Sequence, residues 1–333
     1  MTGSFKRRVA MLLVAAAAFS WSAEASANPD RWRGEWPKTD FAKTSVEYRE
    51  ILSGGPPKDG IPAIDSPVFS LVEDVAEKWN MGAKEPVIAV EIGGELKAYP
   101  LRVLMWHEIA NDVIGGVPVA VTYCPLCNSA VVFDRRVGDK VLDFGTTGKL
   151  RNSDLVMYDR QTESWWQQFL GEAIVGEMTG TLLEMIPVRV ESFERFRARG
   201  AHGKVLVPNS MAARGYGNNP YEGYDGRPRP YPFFQGEMPA DVPPLERVVA
   251  VGTEAWSLPL LREKGEVRQG DLILSWEAGQ NSALDSGWIP DGRDIGNVTV
   301  QRETADGRVD VVHDITFAFA FHAFRPDGTI HTR

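Results

Sequence analysis

The chain has 333 residues, of which 43% are hydrophobic, and a formal net charge of −9. This length and composition allow a sizeable core and about two domains. The acidic balance and the lack of a lysine-rich block exclude an electrostatic surface for nucleic acid or anionic lipid, and two cysteines are too few for a disulfide-dependent scaffold.

The first 27 residues have the pattern of a secretory signal peptide. Three basic residues at positions 6–8 precede an apolar run over residues 9–19, and Ala25-Ser26-Ala27 is a small-x-small cleavage site. The apolar run is shorter than the roughly 20 residues that a membrane-spanning helix needs. The sequence therefore predicts a periplasmic or secreted protein that begins at Asn28 and has no stable membrane insertion.

The rest of the chain is predicted to be α+β, predominantly β, with a few short helices. An extended arm over residues 28–67 leads into a β-rich unit over 68–206. A segment rich in Gly, Pro and Tyr over 207–246 is too long and irregular for an ordinary connector. Its aromatic residues favour an ordered flap over a groove rather than a linker, and a second β-rich unit follows over 247–333.

The first unit is predicted to begin with a helix and a hairpin. Ser66-Pro67 suits a helix start before apolar residues at helical spacing. Residues 87–92 and 95–99 have strand composition and are joined by a glycine pair. The apolar positions of Leu101–Asp112 then predict a second helix, which carries Trp106 and His107.

Cys124 and Cys127 interrupt a run of strand-type residues, VAVTYCPLCNSAVVFDRR, over 119–136. Two thiolates separated by two residues can bind one soft metal ion when other parts of the chain supply one or two further ligands. The candidate ligands are His107, His322 on a strand predicted over 316–324 by strict alternation, and Met105 or Met157 as thioether ligands for copper. Copper is the first choice of metal because thiolate, thioether and imidazole ligands suit copper(I).

Two other interpretations of the cysteine pair stay open. It could be a redox dithiol in a periplasmic thiol-disulfide or other oxidoreductase, although the residues after Cys127 are predicted to be extended, whereas thioredoxin-like pairs precede a helix. It could also be a structural disulfide in a non-catalytic module that binds a small molecule or a protein partner. Of the three, the binding or handling of a soft transition metal is the first choice, the oxidoreductase is the alternative and the non-catalytic module is the third.

Four polar or aromatic residues are candidates for binding a ligand beside the cysteines. Arg160 can act as a bidentate donor to an anionic group, and Trp106 adjoins His107. Asn152 and Asp154 lie in the run Arg151-Asn152-Ser153-Asp154, which is also ordinary turn chemistry.

The two β-rich units share a sequence pattern. Leu272–Ala283 in the second unit echoes Val119–Ala130 in the first, and in that register the two cysteines correspond to Glu277 and Gln280. The match predicts a duplicated β unit, with chance similarity between two strand-turn-strand segments as the alternative. If the second copy folds without cysteines, the fold does not require them in the first.

Three long runs of sequence indicate a family. They are TYCPLCNSAVVFDR (Thr122–Arg135), FGTTGKLRNSDLVMYDRQT (Phe144–Thr162) and GEAIVG (Gly171–Gly176). With them the chain resembles, from about Val87 to Phe324, the bacterial and archaeal domain of unknown function numbered 3179, in which glycine is more usual at the position of Asn128. The resemblance implies no activity, because the family's name assigns none.

Overall fold

The computed structural model describes residues 29–200 and 202–333. The signal peptide predicted over residues 1–27 lies outside the described residues. The chain is 39% strand and 14% helix, which confirms the predominantly β, α+β class with a few short helices.

The described strands are short and fall on both sides of the flap. Sixteen described strands precede it: β1 (Ile51–Ser53), β2 (Val68–Leu71), β3 (Pro86–Ile92), β4 (Glu95–Pro100), β5 (Ile109–Ile114), β6 (Val117–Cys124), β7 (Ser129–Asp134), β8 (Arg136–Val137), β9 (Lys140–Val141), β10 (Phe144–Arg151), β11 (Asp154–Asp159), β12 (Trp165–Gln167), β13 (Glu172–Val175), β14 (Met185–Ile186), β15 (Arg189–Ser192) and β16 (Lys204–Val207). Eight described strands follow it: β17 (Arg247–Val251), β18 (Glu254–Ser257), β19 (Glu266–Gln269), β20 (Leu272–Glu277), β21 (Asn297–Thr304), β22 (Gly307–Asp310), β23 (Asp314–Phe317) and β24 (Thr329–His331).

The α-helices of the described chain have four to seven residues each. They are α1 (Val72–Lys78), α2 (Leu101–Leu104), α3 (Phe193–Arg199), α4 (Leu258–Lys264) and α5 (Ala318–Phe324). Each of them directly follows a strand; α2 and α4 lead from one sheet to the next, whereas α1, α3 and α5 connect strands of the same sheet. In the part of the chain that the structure covers, no helix combines the length and apolar character that crossing a membrane requires.

Five sheets of four or five strands form a propeller-like ring. We number them as follows: sheet 1 is β15-β3-β4-β16-β2, sheet 2 is β14-β7-β6-β5, sheet 3 is β1-β10-β11-β12-β13, sheet 4 is β23-β17-β18-β24 and sheet 5 is β19-β20-β21-β22. A two-stranded ribbon, β8-β9, accompanies them. The predicted arm contributes β1, which pairs with β10 at the edge of sheet 3.

Sheets 1 and 4 are connected in the same order. In each, a hairpin (β3-β4 or β17-β18) runs into a helix, and a later strand pairs antiparallel with the first hairpin strand. That later strand runs into another helix, and the next strand lies parallel to the second hairpin strand. The sequence match places Ser282 at the position of Ser129, which begins β7. In the structure Ser282 lies in a loop, and β21, the strand that follows β20 and pairs with it, begins only at Asn297. The duplication itself stays a prediction.

The hairpin of β3 and β4 confirms the sequence analysis. Val87 pairs with Pro100 and Ile92 with Glu95 across the glycine turn. The side chain of Ser192 accepts a hydrogen bond from Arg195 N and caps α3, as small hydroxyl residues commonly do at helix starts.

The helix predicted over Leu101–Asp112 was wrong beyond its first turn. It ends at Leu104, the next residues form a turn, and Glu108 has a φ of +59°. A left-handed residue breaks the helical repeat, and the β-branched residues of Ile109–Ile114 then form β5 against β6. His107 therefore lies in a turn and not on a helix.

The strand predicted over residues 316–324 was also wrong. Strand β23 ends at Phe317, and α5 follows with five of its seven residues buried. A helix that is buried on nearly all sides has no polar face to reveal the 3.6-residue period. Alternating phenylalanine and alanine therefore imitated a strand, and His322 lies on a helix. Likewise, the helix expected directly after Pro67 begins only at Val72, because residues 68–71 pair with β16 as β2.

The largest cluster of buried apolar side chains includes both cysteines. Strands β6 and β7 of sheet 2 are buried along nearly their whole length. The turn between them therefore lies inside the protein.

Candidate metal centre

Strand β6 ends at Cys124, and β7 begins at Ser129 directly opposite it. The four residues between them form a tight turn in which Asn128 has a φ of +53° and its amide donates to Pro125 O at 3.3 Å. Asparagine tolerates this left-handed conformation better than most residues other than glycine. The turn closes with asparagine at this position, and it carries both cysteines on one short loop.

A second tight turn faces the cysteines from sheet 3. It joins β10 to β11 through Asn152 and Ser153, which both have positive φ, +52° and +63°, the combination that a two-residue hairpin turn requires. The Cys124 thiol contacts Ser153 O with its sulfur at 3.7 Å, and the Cys127 thiol contacts Asn152 O at 4.0 Å. Asn152 thus meets the cysteine turn through its backbone carbonyl.

The second turn also delivers a carboxylate. Asp154, the first residue of β11, offers an oxygen that lies with the sulfurs of Cys124 and Cys127 in a group of donor atoms all within 4.8 Å of one another. The Oδ2 atom of Asp154 accepts hydrogen bonds from Gln167 Nε2 at 2.6 Å and Phe169 N at 2.9 Å. Its Oδ1 atom is buried and has no hydrogen-bond partner among the described residues.

Burial controls the protonation of the three groups. It raises the pKa of both thiols, and it raises the pKa of Asp154 to about 7. Within the described chain no lysine, arginine or histidine forms an ion pair with Asp154. A buried anion without a partner is costly, so burial favours the protonated forms of the two thiols and the carboxyl group.

Both cysteines are free thiols in the structure. The side chain of Cys124 is 2% exposed and that of Cys127 is fully buried. The structural disulfide, one of the three interpretations of the pair, is not the state that the structure describes.

The structure does not bring His107 to the cysteines. Its Nδ1 lies 2.7 Å from Pro62 O, and its Nε2 lies 2.8 Å from the hydroxyl of Tyr216 in the flap. Both ring nitrogens are occupied, and burial lowers the pKa of the imidazole. His322 is half-buried in the last turn of α5 and is not part of the group of donor atoms that includes Asp154.

The other two ligand-binding candidates lie apart from the group of three. Arg160 forms an ion pair with Asp65, so its guanidinium joins the arm to sheet 3. The indole N–H of Trp106 is buried with no hydrogen-bond partner among the residues described. Asp154 is thus the member of the predicted ligand-binding set whose side chain reaches the cysteines.

Sheet 4 fastens the cysteine turn from a third side. The backbone oxygen of Cys127 accepts from the Thr316 hydroxyl at 2.8 Å and from Phe317 N at 3.0 Å. Asn128 Nδ2 donates to Ile315 O at 2.7 Å, and Asp314 accepts from the hydroxyl of Ser129 at 2.6 Å. Sequence analysis missed these residues of β23, since nothing local links them to a turn almost 190 positions earlier.

A cavity of about 270 Å³ adjoins the site, with Leu126 and Leu155 in its wall. Tyr221, Tyr231 and Phe233, from the segment predicted to be a flap, also line it. Glu108 is the carboxyl group in the wall, and sequence analysis did not single it out. The available signal was an acidic residue inserted between two apolar runs, which is uncommon in buried segments.

Comparison with known proteins yields one match. A family model described as "Protein of unknown function (DUF3179)" matches residues 58–328. No curated protein matches, and no solved structure does.

Proposed function

We propose a function from the site itself, because this chain belongs to the DUF3179 family, whose description assigns no activity. The function is the binding of a thiolate-preferring transition metal by Cys124, Cys127 and Asp154. The observation that carries it is the convergence of two thiols and a carboxylate within 4.8 Å at a buried place, with one carboxylate oxygen lacking a partner among the described residues.

The donor atoms fit one small ion. Ligands of a tetrahedral Zn²⁺ lie about 3.5 Å from one another, so donors already within 4.8 Å can converge through small side-chain movements. Three protein ligands leave a fourth coordination position open, as in catalytic zinc sites. Replacing the thiol and carboxyl protons by a metal also removes the cost of burying these groups without a cation.

The donor set bears on which metal binds. Copper was the first choice from the sequence because imidazole and thioether ligands were expected, but the group contains a carboxylate and no imidazole. Two thiolates and a carboxylate carry three negative charges, which a divalent ion balances better than copper(I) in a buried site. Zinc is therefore the first candidate and copper the second.

The second half of the chain supports a functional role for the cysteines. Strand β20 ends at Glu277 as β6 ends at Cys124, and both are central strands of four-stranded sheets. Sheet 5 forms without cysteines, so a strand of this kind does not require them. We infer the predicted duplication from the same order of connections, and the cysteines are then an addition to one copy.

The redox alternative has less support. A redox-active dithiol needs a stabilised thiolate and an accessible sulfur, whereas both sulfurs here are buried and burial raises the pKa of both thiols. The nearby ionisable side chains that affect the thiols are acidic, Glu108, Asp154 and Asp314. Their charges oppose thiolate formation in the absence of a metal.

Metal analysis of the purified native protein tests the proposal, after loading with zinc and with copper in separate samples. We expect near-stoichiometric metal, which the double variant Cys124→Ser/Cys127→Ser loses. Asp154→Asn should weaken zinc affinity at least about tenfold, because losing even a residue that only supports a metal ligand costs that much. Its affinity for copper(I), which two thiolates can hold, should be unchanged. The exposed substitution Asp306→Asn is the matched control. Two titratable thiols and no metal in the native protein would overturn the proposal.

We also propose that the protein is exported to the periplasm or secreted. Support comes from the basic residues at 6–8, the apolar run and the Ala25-Ser26-Ala27 site. The intact mass of the protein expressed with its own N-terminus should correspond to a chain that begins at Asn28. A full-length product confined to the cytoplasm would contradict export.

A further inference from the structure

The cavity beside the cysteine turn has an aromatic and largely apolar wall. Its volume of about 270 Å³ is close to the lower end of small-molecule pockets. Pro220, Tyr221, Tyr231 and Phe233 form the side that belongs to the flap. The cavity is therefore suited to a ligand of a few carbon atoms with an apolar surface.

Glu108 is the unusual member of this wall. It is 9% exposed, and its carboxyl group forms no hydrogen bond or ion pair with any described residue. Its backbone has a φ of +59°, a left-handed conformation that is unfavourable for a residue other than glycine. Strained residues of this kind concentrate at functional sites.

The lysine in the cavity wall does not neutralise Glu108. Lys149 also borders the cavity, but its ammonium lies 5.2–5.6 Å from the ring centres of Trp32, Trp36 and Trp165. It is also 3.7 Å from a carboxylate oxygen of Glu35. Its positive charge is therefore already paired in a separate aromatic enclosure.

The surroundings of Glu108 are acidic. Burial, the larger cause, and the charge of Asp154 together raise the pKa of Glu108 to about 8. Glu108 in turn raises the pKa of Tyr221 and of Cys124. A ligand that brings a positive charge would remove the cost of the buried carboxylate, and the faces of aromatic rings also attract cations.

We propose that this cavity binds a small organic ammonium cation, with Glu108 as its counterion and the aromatic side chains of the flap around its alkyl groups. The site needs neither cysteine as a ligand and so does not rest on the proposed metal function.

Hydrogen bonds and a stacked pair of rings hold the flap over the cavity. The Tyr224 hydroxyl donates to Leu126 O in the cysteine turn at 2.9 Å, and its ring stacks on Tyr231 at 4.6 Å. The Tyr216 hydroxyl bonds to His107 at the other end. These contacts hold the flap against the rest of the protein, and His107 takes part in them.

Calorimetric titration of the chelator-treated native chain tests the proposal with two probes, choline and butylamine. The neutral isostere of choline, 3,3-dimethylbutan-1-ol, is the matched ligand control. At about pH 9, Glu108 is ionised and both probes are cationic. We expect at least one probe to bind and the neutral isostere to bind at least about tenfold more weakly, as for loss of one buried charge pair.

Glu108→Gln should lower the affinity for the bound probe by at least about tenfold, while the exposed substitution Glu184→Gln, with the same change in charge, should leave it unchanged. Phe233→Ala keeps the carboxylate and so tests the contribution of the aromatic side chains of the flap separately. Binding by neither probe, equal affinity of choline and its isostere where choline binds, or unchanged affinity in Glu108→Gln would overturn the inference. Because the titration uses metal-free protein, a failed metal analysis leaves its outcome unaffected.

Discussion

Three acidic residues with raised pKa values surround the cysteine turn. Burial raises the pKa of Glu108 to about 8, of Asp154 to about 7 and of Asp314 to about 6. Each belongs to a different sheet or its edge, so the fold gathers acids at one buried place at a cost to stability. Such concentrations of perturbed acids are typical of functional sites, and here they favour a cation as the missing partner.

Glu108 makes this cost measurable through pH. Its folded pKa is about 8 and its ordinary value is 4.5, so the folded protein binds the proton more tightly than the unfolded chain does. The stability that the neutral carboxyl allows is complete below pH 4.5 and is lost as the pH rises through 8. Across this pH window the native protein should therefore lose on the order of 3 kcal/mol more unfolding free energy than the Glu108→Gln variant.

Urea unfolding of the metal-free native protein and the variant at both ends of the window checks this expectation. Asp154 and Asp314 have the same sign of pH dependence, and the difference between the two proteins removes their contribution. Glu184→Gln, at an exposed position, should follow the native curve. Parallel curves for the native protein and Glu108→Gln would contradict the burial of an unpartnered carboxyl.

At the scale of elements, the sequence predicted what local patterns determine. The glycine pair of the β3-β4 hairpin and the strands on either side of the cysteine turn both depend on neighbouring residues. The helix α5 escaped prediction because it is buried on most sides, and its alternation of phenylalanine and alanine carries a period of two. Burial removed the polar face that would have identified it.

The ligands of the site show the same limit. Cys124 and Cys127 could be predicted because they share one turn, and Asp154 was a candidate because it stands in a polar turn. That this second turn lies against the first depends on how sheets 2 and 3 pack, for which the sequence has no local signal. His107 was chosen for its closeness in sequence, but left-handed Glu108 separates it from β5, and its ring contacts Tyr216.

For the molecule as a whole, the site lies where three sheets of the ring meet. Sheet 2 supplies the cysteines, sheet 3 supplies Asp154, and sheet 4 holds the turn through Thr316 and Phe317. The arm strand β1 pairs with β10, the strand that leads into the Asn152-Ser153 turn. A metal at this place would connect sheets that otherwise contact one another through side-chain packing and a few hydrogen bonds.

Metal binding should therefore stabilise the whole ring and not only one turn. A ligand that binds the folded state alone adds about 2.7 kcal/mol to the unfolding free energy at a hundred times its dissociation constant. We expect zinc to raise the Tm of the native protein in a single transition and to slow hydrogen exchange of the Phe317 amide, which donates to Cys127 O.

Asp154→Asn should show a much smaller rise in Tm at the same zinc concentration, whereas Asp306→Asn should behave as the native protein does. If zinc raises the Tm of Asp154→Asn as much as that of the native chain, the ion does not join sheet 3 to sheet 2. Slower exchange at Cys127 and Asn128 without any change at Phe317 would confine its effect to the cysteine turn.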